Sequence, residues 1–566
     1  MILTALAAAL AAQTSPMAAA ADMALYTIDV TPRAGEIADV RMRLVFTGEL
    51  DGETAITLPN EWGGEAELWN NVSDLTLLSA GELANGGSAS EKLIRHAPGA
   101  RIALEWRIVP DRPGDPDALA HDYYRPVVTE DYVHMIGHTV FVYPQNLTDY
   151  RFGLWQSDNA EAWPLISDLQ HEGEPEAEDF LTSIIVAGDF RLSEADVAGA
   201  PVRVAMRGDV GFSDEDFFAG VKDVLQANQT YWGTQGEPFL VTALPLTSQP
   251  NHSSLGGTNL ADSFAFFATD NGDAMTLLRI LQHEHVHTWN PVRLGGFVDG
   301  AEEQIADYWF SEGFTDFLTQ RAGVLGGVWD SQTAIANWNE ALLEDSFSPV
   351  RGAPNSGIVG GFWSNAPYQR LAYHRGMVFA GLLDHLIREH SNGARDLDDV
   401  MFALRETGTD GAPARRLTRV TQDVTGLDIS ELVERHIMQG EPVVLPPDSF
   451  GSCGTVEQFE RPRFVYGMEG MRNEAGEFVL VSVDPDGPAA AAGFAPGMTF
   501  EGRIGGSYGD ASIDSVFRVR LEDGTVTEMS YRPTDGSVER GQHIIPAEGD
   551  LQTNGCAALI AGRPLN

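Results

Sequence analysis

The sequence is poor in cysteine and in basic residues, and it lacks long apolar runs after its N-terminus. Among 566 residues only Cys453 and Cys556 are cysteines, and 36 Lys and Arg stand against 82 Asp and Glu. Two cysteines exclude a disulfide-dense scaffold and a cysteine-rich metal module. They leave two alternatives open, a bridge that closes a loop of about 100 residues or a pair of buried thiols.

The shortage of basic residues limits the partners of the protein. A net charge of −46 would repel nucleic acid and anionic membrane, so we expect neither as a partner. No stretch beyond the N-terminus offers the roughly 20 apolar residues of a membrane-spanning helix. The apolar run 2–12, followed by small residues at Ala18–Ala21, is typical of a signal peptide over residues 1–21, although no Lys or Arg precedes it. We therefore expect an exported protein, periplasmic or secreted.

Hydrophobic patterning divides the rest of the chain into three blocks and predicts a multidomain α+β fold. Residues 22–195 hold short β-branched and aromatic runs broken by Gly, Pro, Asn and Asp, which predicts an N-terminal β-sandwich-like domain. Residues 196–445 are mostly helical by their periodicity, and residues 455–550 are β-rich again. Within the second block the predicted helices cover 213–233, 273–289, 303–322, 332–344, 370–390, 396–407 and 428–438, with one strand at 239–246.

The sequence around residue 284 carries the strongest chemical signal. QHEHVHTWN at 282–290 contains His283, Glu284 and His287 as an H-E-x-x-H on a predicted helix. Two imidazoles one helical turn apart can bind a single zinc ion, and the glutamate between them can take a proton from water. His285 points away from that face and is interpreted as a bystander. The alternative is a His-rich helix face exposed to solvent.

A catalytic zinc needs a third protein ligand, and Glu312 in WFSEGFTDF (309–317) is the candidate. The aromatic residues around it predict buried surroundings, where a carboxylate is costly unless it is paired or bound to a metal. Asp316 would share the helical face of Glu312 and could accept the free N–H of a ligating histidine. We therefore expect one zinc per chain, held by His283, His287 and Glu312.

HEHVHTWN followed by WFSEGFT resembles the glycyl aminopeptidase family of Glu-ligated zinc peptidases. Members have an N-terminal β-domain, a thermolysin-like catalytic domain and a C-terminal PDZ domain, and the three blocks of this chain stand in that order. NPVRL at 290–294 is similar to the family's stretch after the tryptophan, with Asn290 and Arg293 in corresponding places. The resemblance implies a zinc-dependent enzyme that hydrolyses peptide substrates.

YQRLAYHRG at 368–376 extends the resemblance. In the broader Glu-ligated aminopeptidases, a tyrosine three residues before a glycine donates to the oxyanion of the tetrahedral intermediate, and Tyr373 is similar to it. Tyr368 is similar to a second tyrosine of that region and is expected near the substrate. Without the resemblance, either tyrosine would be interpreted as ordinary packing.

FVLVSVDPDGPAAAAGFAPGMTFEGRIGG at 478–506 resembles a PDZ domain. Gly467 and Met468 would fall near the loop that takes a peptide carboxylate, and such domains bind chain ends by adding a strand to a sheet edge. Met498 departs from the pattern, because an acidic residue is common there. The alternatives are a domain that binds peptide C-termini and one that only packs.

The family pattern also fails at one position of the expected substrate strand. LGGTNLADS at 255–263 keeps the glycines, Gly256 and Gly257, but has Asn259 where the family carries a glutamate that holds the α-amine of the substrate. Loss of a charge-assisted hydrogen bond of that kind costs about 1.5–3 kcal/mol. Strict aminopeptidase action therefore needs another acid, or another feature of the site, in place of this glutamate.

Three functions remain open at this point. The first is an aminopeptidase on small N-terminal residues, Gly or Ala, in which Asp262, Glu302 or Glu303 replaces the missing acid. The second is an endopeptidase that tolerates blocked N-termini. The third is a PDZ peptide-binding protein with a vestigial zinc site, which the complete set of predicted zinc-site residues disfavours.

Overall fold

The computed structural model describes residues 23–564 apart from 121–122, 147–149, 171–176, 249–251, 299, 409–410, 474–476, 522, 550 and 552–554. The predicted signal peptide therefore lies outside the described residues. The chain divides into two compact units, one up to His285 and one from Val286 onwards. Among the described helices, none has the length and apolar character that crossing a membrane requires.

Four β-sheets make up most of the first unit, which confirms the β-rich N-terminal block. In Met23–Arg33 buried and half-buried residues alternate, as expected for a strand with one face in the core. In sheet order, the first sheet consists of Arg151–Gln156, Met23–Arg33, Glu36–Thr47, Arg101–Ile108 and Val72–Leu77, and the second of Tyr143–Pro144, Glu53–Thr57, Glu91–Arg95 and Glu82–Asn85. The third consists of Leu165–Ser167, Ile184–Gly188, Tyr132–Ile136 and Val127–Val128. The fourth consists of Arg191–Val197, Ala200–Met206, Phe239–Pro245, Ser263–Ala268 and Leu255–Asn259.

Among the residues that the structure describes, the last of these sheets ends in a strand that is paired on one side only. Leu255–Asn259, called the edge strand below, pairs antiparallel with Ser263–Ala268. Every residue of Ser263–Ala268 is buried, whereas the edge strand is half-buried throughout. Its outer backbone groups are therefore the ones that another extended segment can pair with.

The described helical segments of the first unit are Leu68–Asn71 (3₁₀), Gly137–Val140, Ala177–Leu181, Asp214–Trp232 and Ala274–Val286, whose last residue begins the second unit. Asp214–Trp232 confirms the helix predicted at 213–233, together with both of its end signals. The Ser213 side chain accepts from the Asp216 N–H at the start, and Gly233 ends the helix with φ +64°. Glycine takes that left-handed conformation without steric cost.

A buried carboxylate makes the stability of the first unit dependent on pH. The oxygens of Asp168 accept hydrogen bonds from Ser263 Oγ at 2.6 Å, the Ile184 N–H at 2.9 Å and Ser167 Oγ at 3.2 Å. Burial outweighs these bonds and raises the pKa of Asp168 from 3.8 to about 6. The native state thus binds the proton more tightly than the unfolded state, so this residue's contribution to stability falls as the pH rises from about 4 to about 6.

Asp168→Asn removes this titration. Relative to the wild type, we expect the free energy of unfolding of the variant to increase by up to about 3 kcal/mol between about pH 4 and about pH 7, because a shift of two pKa units corresponds to that amount. Urea unfolding of both proteins at the two pH values measures the change. A difference between the proteins that does not vary with pH would contradict the raised pKa.

Helices dominate the first part of the second unit, as the periodicity predicts. The described helical segments that follow Ala274–Val286 are Val292–Leu294 (3₁₀), Ala301–Ser311, Gly313–Gly326, Ser331–Phe347, Asn355–Gly361, Ala366–His390, Leu397–Glu406, Pro413–Thr425, Ser430–Leu432, Val433–Met438 (π), Gly451–Cys453 (3₁₀), Pro488–Ala491 and Cys556–Ile560.

Asn355–Gly361 and Pro413–Thr425 are two of the described helices of this unit that have no counterpart in the prediction. Asn355–Gly361 is rich in glycine, which has low helix propensity, so its sequence favours a loop. Pro413–Thr425 begins with proline, which interrupts a helix interior but is well tolerated in the first turn. A third difference, a break in the helix predicted at 303–322, lies at the site described below.

The last part of the second unit is β-rich, as predicted. Gly454–Pro462 pairs with Val538–Pro546, and an antiparallel sheet lies between them in sequence. The Cys453–Cys556 disulfide, with 4.6 Å between the Cα atoms, joins the two ends of this region. The bridge, rather than a pair of thiols, is therefore present.

The antiparallel sheet between these two strands consists, in order, of Met468–Arg472, Phe478–Val483, Thr499–Gly505, Ser515–Arg520 and Val526–Tyr531. The domain boundaries predicted at 195/196 and after 445 stay predictions.

Candidate active site

The HExxH helix, Ala274–Val286, carries the first group of predicted site residues. His283 and Glu284 lie in its last turn, and His287 follows directly after its end. All three side chains are half-buried. The helix ends three residues before its predicted end because a turn follows it. The two histidines nevertheless keep the spacing of about one helical turn that a shared metal requires.

Glu312 lies at a break between two helices. Ala301–Ser311 ends at this residue and Gly313–Gly326 begins directly after it. The Glu312 side chain is 12% exposed, and its Oε2 lies 3.3 Å from His287 Nε2. A carboxylate this well shielded from water is costly unless a cation neutralises it, and the adjacent imidazole is a second ligand for such a cation.

The three predicted ligands can hold a metal together. One ligand atom from each of His283, His287 and Glu312 lies within 4.8 Å of the other two. Ligand atoms about 2.1 Å from a tetrahedral zinc are about 3.4 Å apart. The 3.3 Å between His287 Nε2 and Glu312 Oε2 matches that value. Two imidazoles and one carboxylate are also the donor set of catalytic zinc sites that keep a position open for water.

The ring of His287 is oriented by the residues that follow it. Its Nδ1 lies 2.8 Å from the carbonyl oxygen of Asn290. Because a carbonyl only accepts, Nδ1 carries the proton and Nε2 presents its lone pair towards Glu312. The hydroxyl of Thr315 donates to the same carbonyl at 3.3 Å.

The buried amide of Asn290 ties this turn to the helices around Glu312. Its Nδ2 donates to Thr315 Oγ1 at 3.0 Å and to the carbonyls of Phe310 and Ser311 at 3.2 and 3.4 Å. Because Asn290 is held in this way, its carbonyl fixes both the tautomer and the angle of the His287 ring.

Asn290→Ala should therefore weaken zinc binding by about 10–100-fold, because the carbonyl that orients His287 loses its anchor. Competition with a chromophoric chelator measures the zinc affinity of the full chain. Asn337→Ala is the matched control, because it removes another buried amide, one that bonds Gln320, and should leave zinc affinity unchanged. Equal losses in both variants would indicate general destabilisation instead.

Two further polar residues of the prediction lie beside the ligands. His285 is buried, with Nδ1 3.0 Å from Asn228 Nδ2 and its ring against Phe239, in agreement with its interpretation as a bystander. Asp316 is half-buried one turn after Glu312. Since His287 already uses the Asn290 carbonyl, a role of Asp316 towards the other ligating histidine stays a prediction.

Tyr373 lies on the long helix Ala366–His390, in the turn before Gly376. An added Cβ at Gly376 would lie 1.9 Å from the carbonyl oxygen of Trp309 and 2.8 Å from the Cα of Gly313. Only glycine permits this close approach of two backbones. The contact holds the turn that carries Tyr373 against the helix break at Glu312.

The side chains of Tyr373 and Tyr368 belong to one apolar cluster, where both are half-buried. Tyr368 packs on the backbone of Gly361, at which an added Cβ would lie 2.6 Å from the tyrosine Cδ2. This packing accounts for the position of Tyr368 without a substrate. The predicted roles of both tyrosines stay predictions.

The edge strand carries the remaining predicted residues. Gly256, Gly257 and Asn259 are half-buried in it, and their role towards a substrate stays a prediction. Of the acids that were considered as replacements for a glutamate at 259, Glu302 and Glu303 are exposed in the first turn of their helix.

Asn290 and Thr315 have functions that the sequence prediction missed. The signal for Asn290 was its place in NPVRL, which is similar to the family's stretch after the tryptophan but indicated no role for the residue. Thr315 carried no signal at all, because its relation to His287 depends on the break at Glu312.

Residues 276–352, which include the HExxH segment and Glu312, match the model of the M61 glycyl aminopeptidase family. No curated protein sequence matches the chain. The fold is similar to that of an aminopeptidase N family protein from Idiomarina loihiensis, with a TM-score of 0.70 and 14% sequence identity over 94% of this chain and 100% of that chain.

Two other solved structures are less similar to this chain. An M1 zinc metallopeptidase from Deinococcus radiodurans has a TM-score of 0.44 and 16% identity over 75% of this chain and 96% of that chain. Legionella pneumophila aminopeptidase A, in complex with aspartic acid, has a TM-score of 0.44 and 12% identity over 95% of this chain and 62% of that chain.

The family match and the geometry coincide at the same residues. The matched stretch supplies His283, His287 and Glu312, and these residues form a donor set that suits zinc. The chain is therefore a zinc metallopeptidase, and its residues 276–352 are similar to the M61 glycyl aminopeptidase family.

Proposed function

We propose that this metallopeptidase is an aminopeptidase that removes small N-terminal residues, Gly or Ala, from peptides. The observation that carries the proposal is the donor set of His283, His287 and Glu312 within a stretch that matches the M61 glycyl aminopeptidase family. The edge strand with its two adjacent glycines supports it, since an extended peptide can pair with a free strand edge.

Each residue of the site has a separate role in peptide hydrolysis. Zinc, when bound, polarises a carbonyl and lowers the pKa of water. Glu284 accepts a proton from the attacking water and passes it to the leaving amine. The Tyr373 hydroxyl donates a hydrogen bond to the oxyanion that forms on the substrate. The strand 256–259 orients the peptide backbone.

Metal analysis and substrate assays test this function. The purified chain should contain about one zinc, lose activity on chelation and regain it when zinc is added back. Hydrolysis of glycyl and alanyl p-nitroanilides should exceed that of leucyl p-nitroanilide. A zinc-loaded protein that hydrolyses none of these substrates would contradict the proposal.

The second candidate is an endopeptidase, which the uncharged Asn259 favours. An amide forms a weaker hydrogen bond to a substrate ammonium than a carboxylate does. Cleavage of one peptide with a free and with an acetylated N-terminus separates the candidates. Equal rates on both peptides would support the endopeptidase.

We also propose that the C-terminal sheet acts as a PDZ-like module for peptide C-termini. Met468–Arg472 lies at the edge of that sheet, and Gly467 directly before it has φ +71°, with Pro488 beside it. Gly467→Ala in the full chain should abolish binding of a labelled peptide with a free carboxylate, and an amidated peptide is the control. Export remains a further proposal, to be tested by mass spectrometry of the mature N-terminus.

A further inference from the structure

Two adjacent tyrosines lie directly on the edge strand. The Tyr124 hydroxyl donates to the carbonyl of Gly257 at 2.8 Å. The ring of Tyr123 covers Gly256, where an added Cβ would lie 3.1 Å from both its Cζ and its Oη. The two glycines predicted to line the substrate therefore already have neighbours on this unit.

The strand register shows which backbone groups face outwards. Leu260 N–H donates to the Ser263 carbonyl and Thr269 N–H donates to the Ser254 carbonyl, at 2.9 and 3.1 Å. Hydrogen-bonded and non-bonded pairs alternate along an antiparallel ladder. Gly257, opposite Phe266, is therefore a non-bonded position.

The carbonyl of Gly257 thus points to the free edge, as do those of the alternate residues Leu255 and Asn259. An extended peptide that pairs with this edge would offer its N–H groups to these carbonyls. The Tyr124 hydroxyl takes the place of such an N–H at Gly257, so a bound peptide cannot use that carbonyl in the same way.

The two rings are held by packing on several sides. Tyr124 makes an edge contact with Trp62, with 5.6 Å between ring centroids, and Tyr123 packs on Phe267 at 5.1 Å. Trp62 and Glu65 exchange two backbone hydrogen bonds of 3.0 and 2.9 Å. The turn formed in this way holds Trp62 against the ring of Tyr124.

The tyrosine pair also lies near the predicted base. Burial, then Tyr123, and then the carboxylate of Glu284 raise the pKa of Tyr124 well above its usual value. Tyr124 therefore stays protonated and keeps donating to Gly257 over the whole physiological range of pH. The electrostatic interaction with Glu284 places the blocked part of the edge on the side of the predicted base.

We propose that Tyr123 and Tyr124 form a stop on the edge strand that excludes peptides extended or blocked at the N-terminus. The pair determines exopeptidase specificity by occupying space and a backbone acceptor, in place of the acid missing at Asn259. This inference rests on the proposed aminopeptidase function and explains how that function persists without a glutamate at 259.

Substrate competition between a free and an N-acetylated alanyl peptide tests the stop. For the wild type, kcat/KM should favour the free peptide by at least about 100-fold. Tyr123→Ala and Tyr124→Ala should each reduce that ratio at least tenfold, mainly by a gain on the acetylated peptide. Tyr124→Phe keeps the ring but frees the Gly257 carbonyl, and it should lower the ratio by a smaller factor, about threefold. Zinc content and circular dichroism confirm that each variant is folded.

A binding measurement separates this inference from the proposed function. In the zinc-loaded Glu284→Gln background, calorimetry gives the affinity of both peptides without turnover, and the two alanine variants should gain affinity for the acetylated one. A wild type that cleaves neither peptide would refute the proposed aminopeptidase function. The ratio of the two peptide affinities would still show whether Tyr123 and Tyr124 exclude the acetylated peptide. An unchanged affinity ratio in folded alanine variants, or equal use of both peptides by the wild type, would overturn the stop.

Discussion

Glu284→Gln should lower kcat by about 10²–10⁴-fold and leave about one zinc bound per chain. The glutamine amide has nearly the size of the carboxylate but cannot accept the proton of the attacking water. The donor set of His283, His287 and Glu312 does not include Glu284, so metal binding should persist. Steady-state kinetics on an alanyl p-nitroanilide and atomic absorption give the two values.

The control for this change is Glu215→Gln, on an exposed position of the helix Asp214–Trp232. It removes the same charge from the same unit and should have no measurable effect on kcat. A zinc-loaded Glu284→Gln protein with the kcat of the wild type would remove Glu284 from the mechanism. Loss of zinc from this variant would instead show that the carboxylate supports the metal.

Tyr373→Phe should lower kcat by about 10²–10³-fold with little change in KM. A hydroxyl that donates to a developing oxyanion stabilises the transition state more than the bound substrate, so its loss appears in kcat. Retention of the ring preserves packing in the apolar cluster that Tyr373 shares with Tyr308. Zinc content should remain at the wild-type value.

Tyr308→Phe is the comparison for this substitution. Burial, and then the carboxylate of Glu312, raise the pKa of Tyr308, and the residue lies in the same cluster. We expect its loss of kcat to be at least tenfold smaller than that of Tyr373→Phe. Similar losses in both variants would indicate that the cluster, rather than one hydroxyl, matters for activity.

The zinc ligands were predictable because their chemistry is encoded locally. His283 and His287 are one helical turn apart, and this spacing fixes their relation whatever the rest of the fold does. The prediction of Glu312 as a ligand needed a second argument. An acid in an aromatic segment is expected to be buried, and a buried carboxylate cannot remain unpaired. The structure brings all three together.

The shape of the segment around Glu312 was not predictable in the same way. The periodicity predicts one helix over 303–322, whereas two helices meet at Glu312. The break lies at the close backbone approach of Gly313 and Gly376, which are distant in sequence. A helical pattern contains no information about such an approach.

The hydrogen-bond partners around the site were also not predictable from the sequence. Asp316 is close to Glu312 in sequence and was the natural candidate to orient a histidine, yet a backbone carbonyl at Asn290 orients His287. A carbonyl is present at every residue, so sequence cannot reveal which one will be used. The same holds for Tyr124, whose bond to Gly257 joins residues 133 apart.

The sequence by itself determined the chemistry of this protein, the order of its β-rich and helical blocks and the ends of several helices. These properties depend on residue type and on short spacings, which local geometry translates directly into structure. Only the tertiary structure decided the cysteine bridge, the helix break at Glu312 and the tyrosines on the edge strand. Each of these joins residues far apart in the chain, and their contact depends on how whole elements pack.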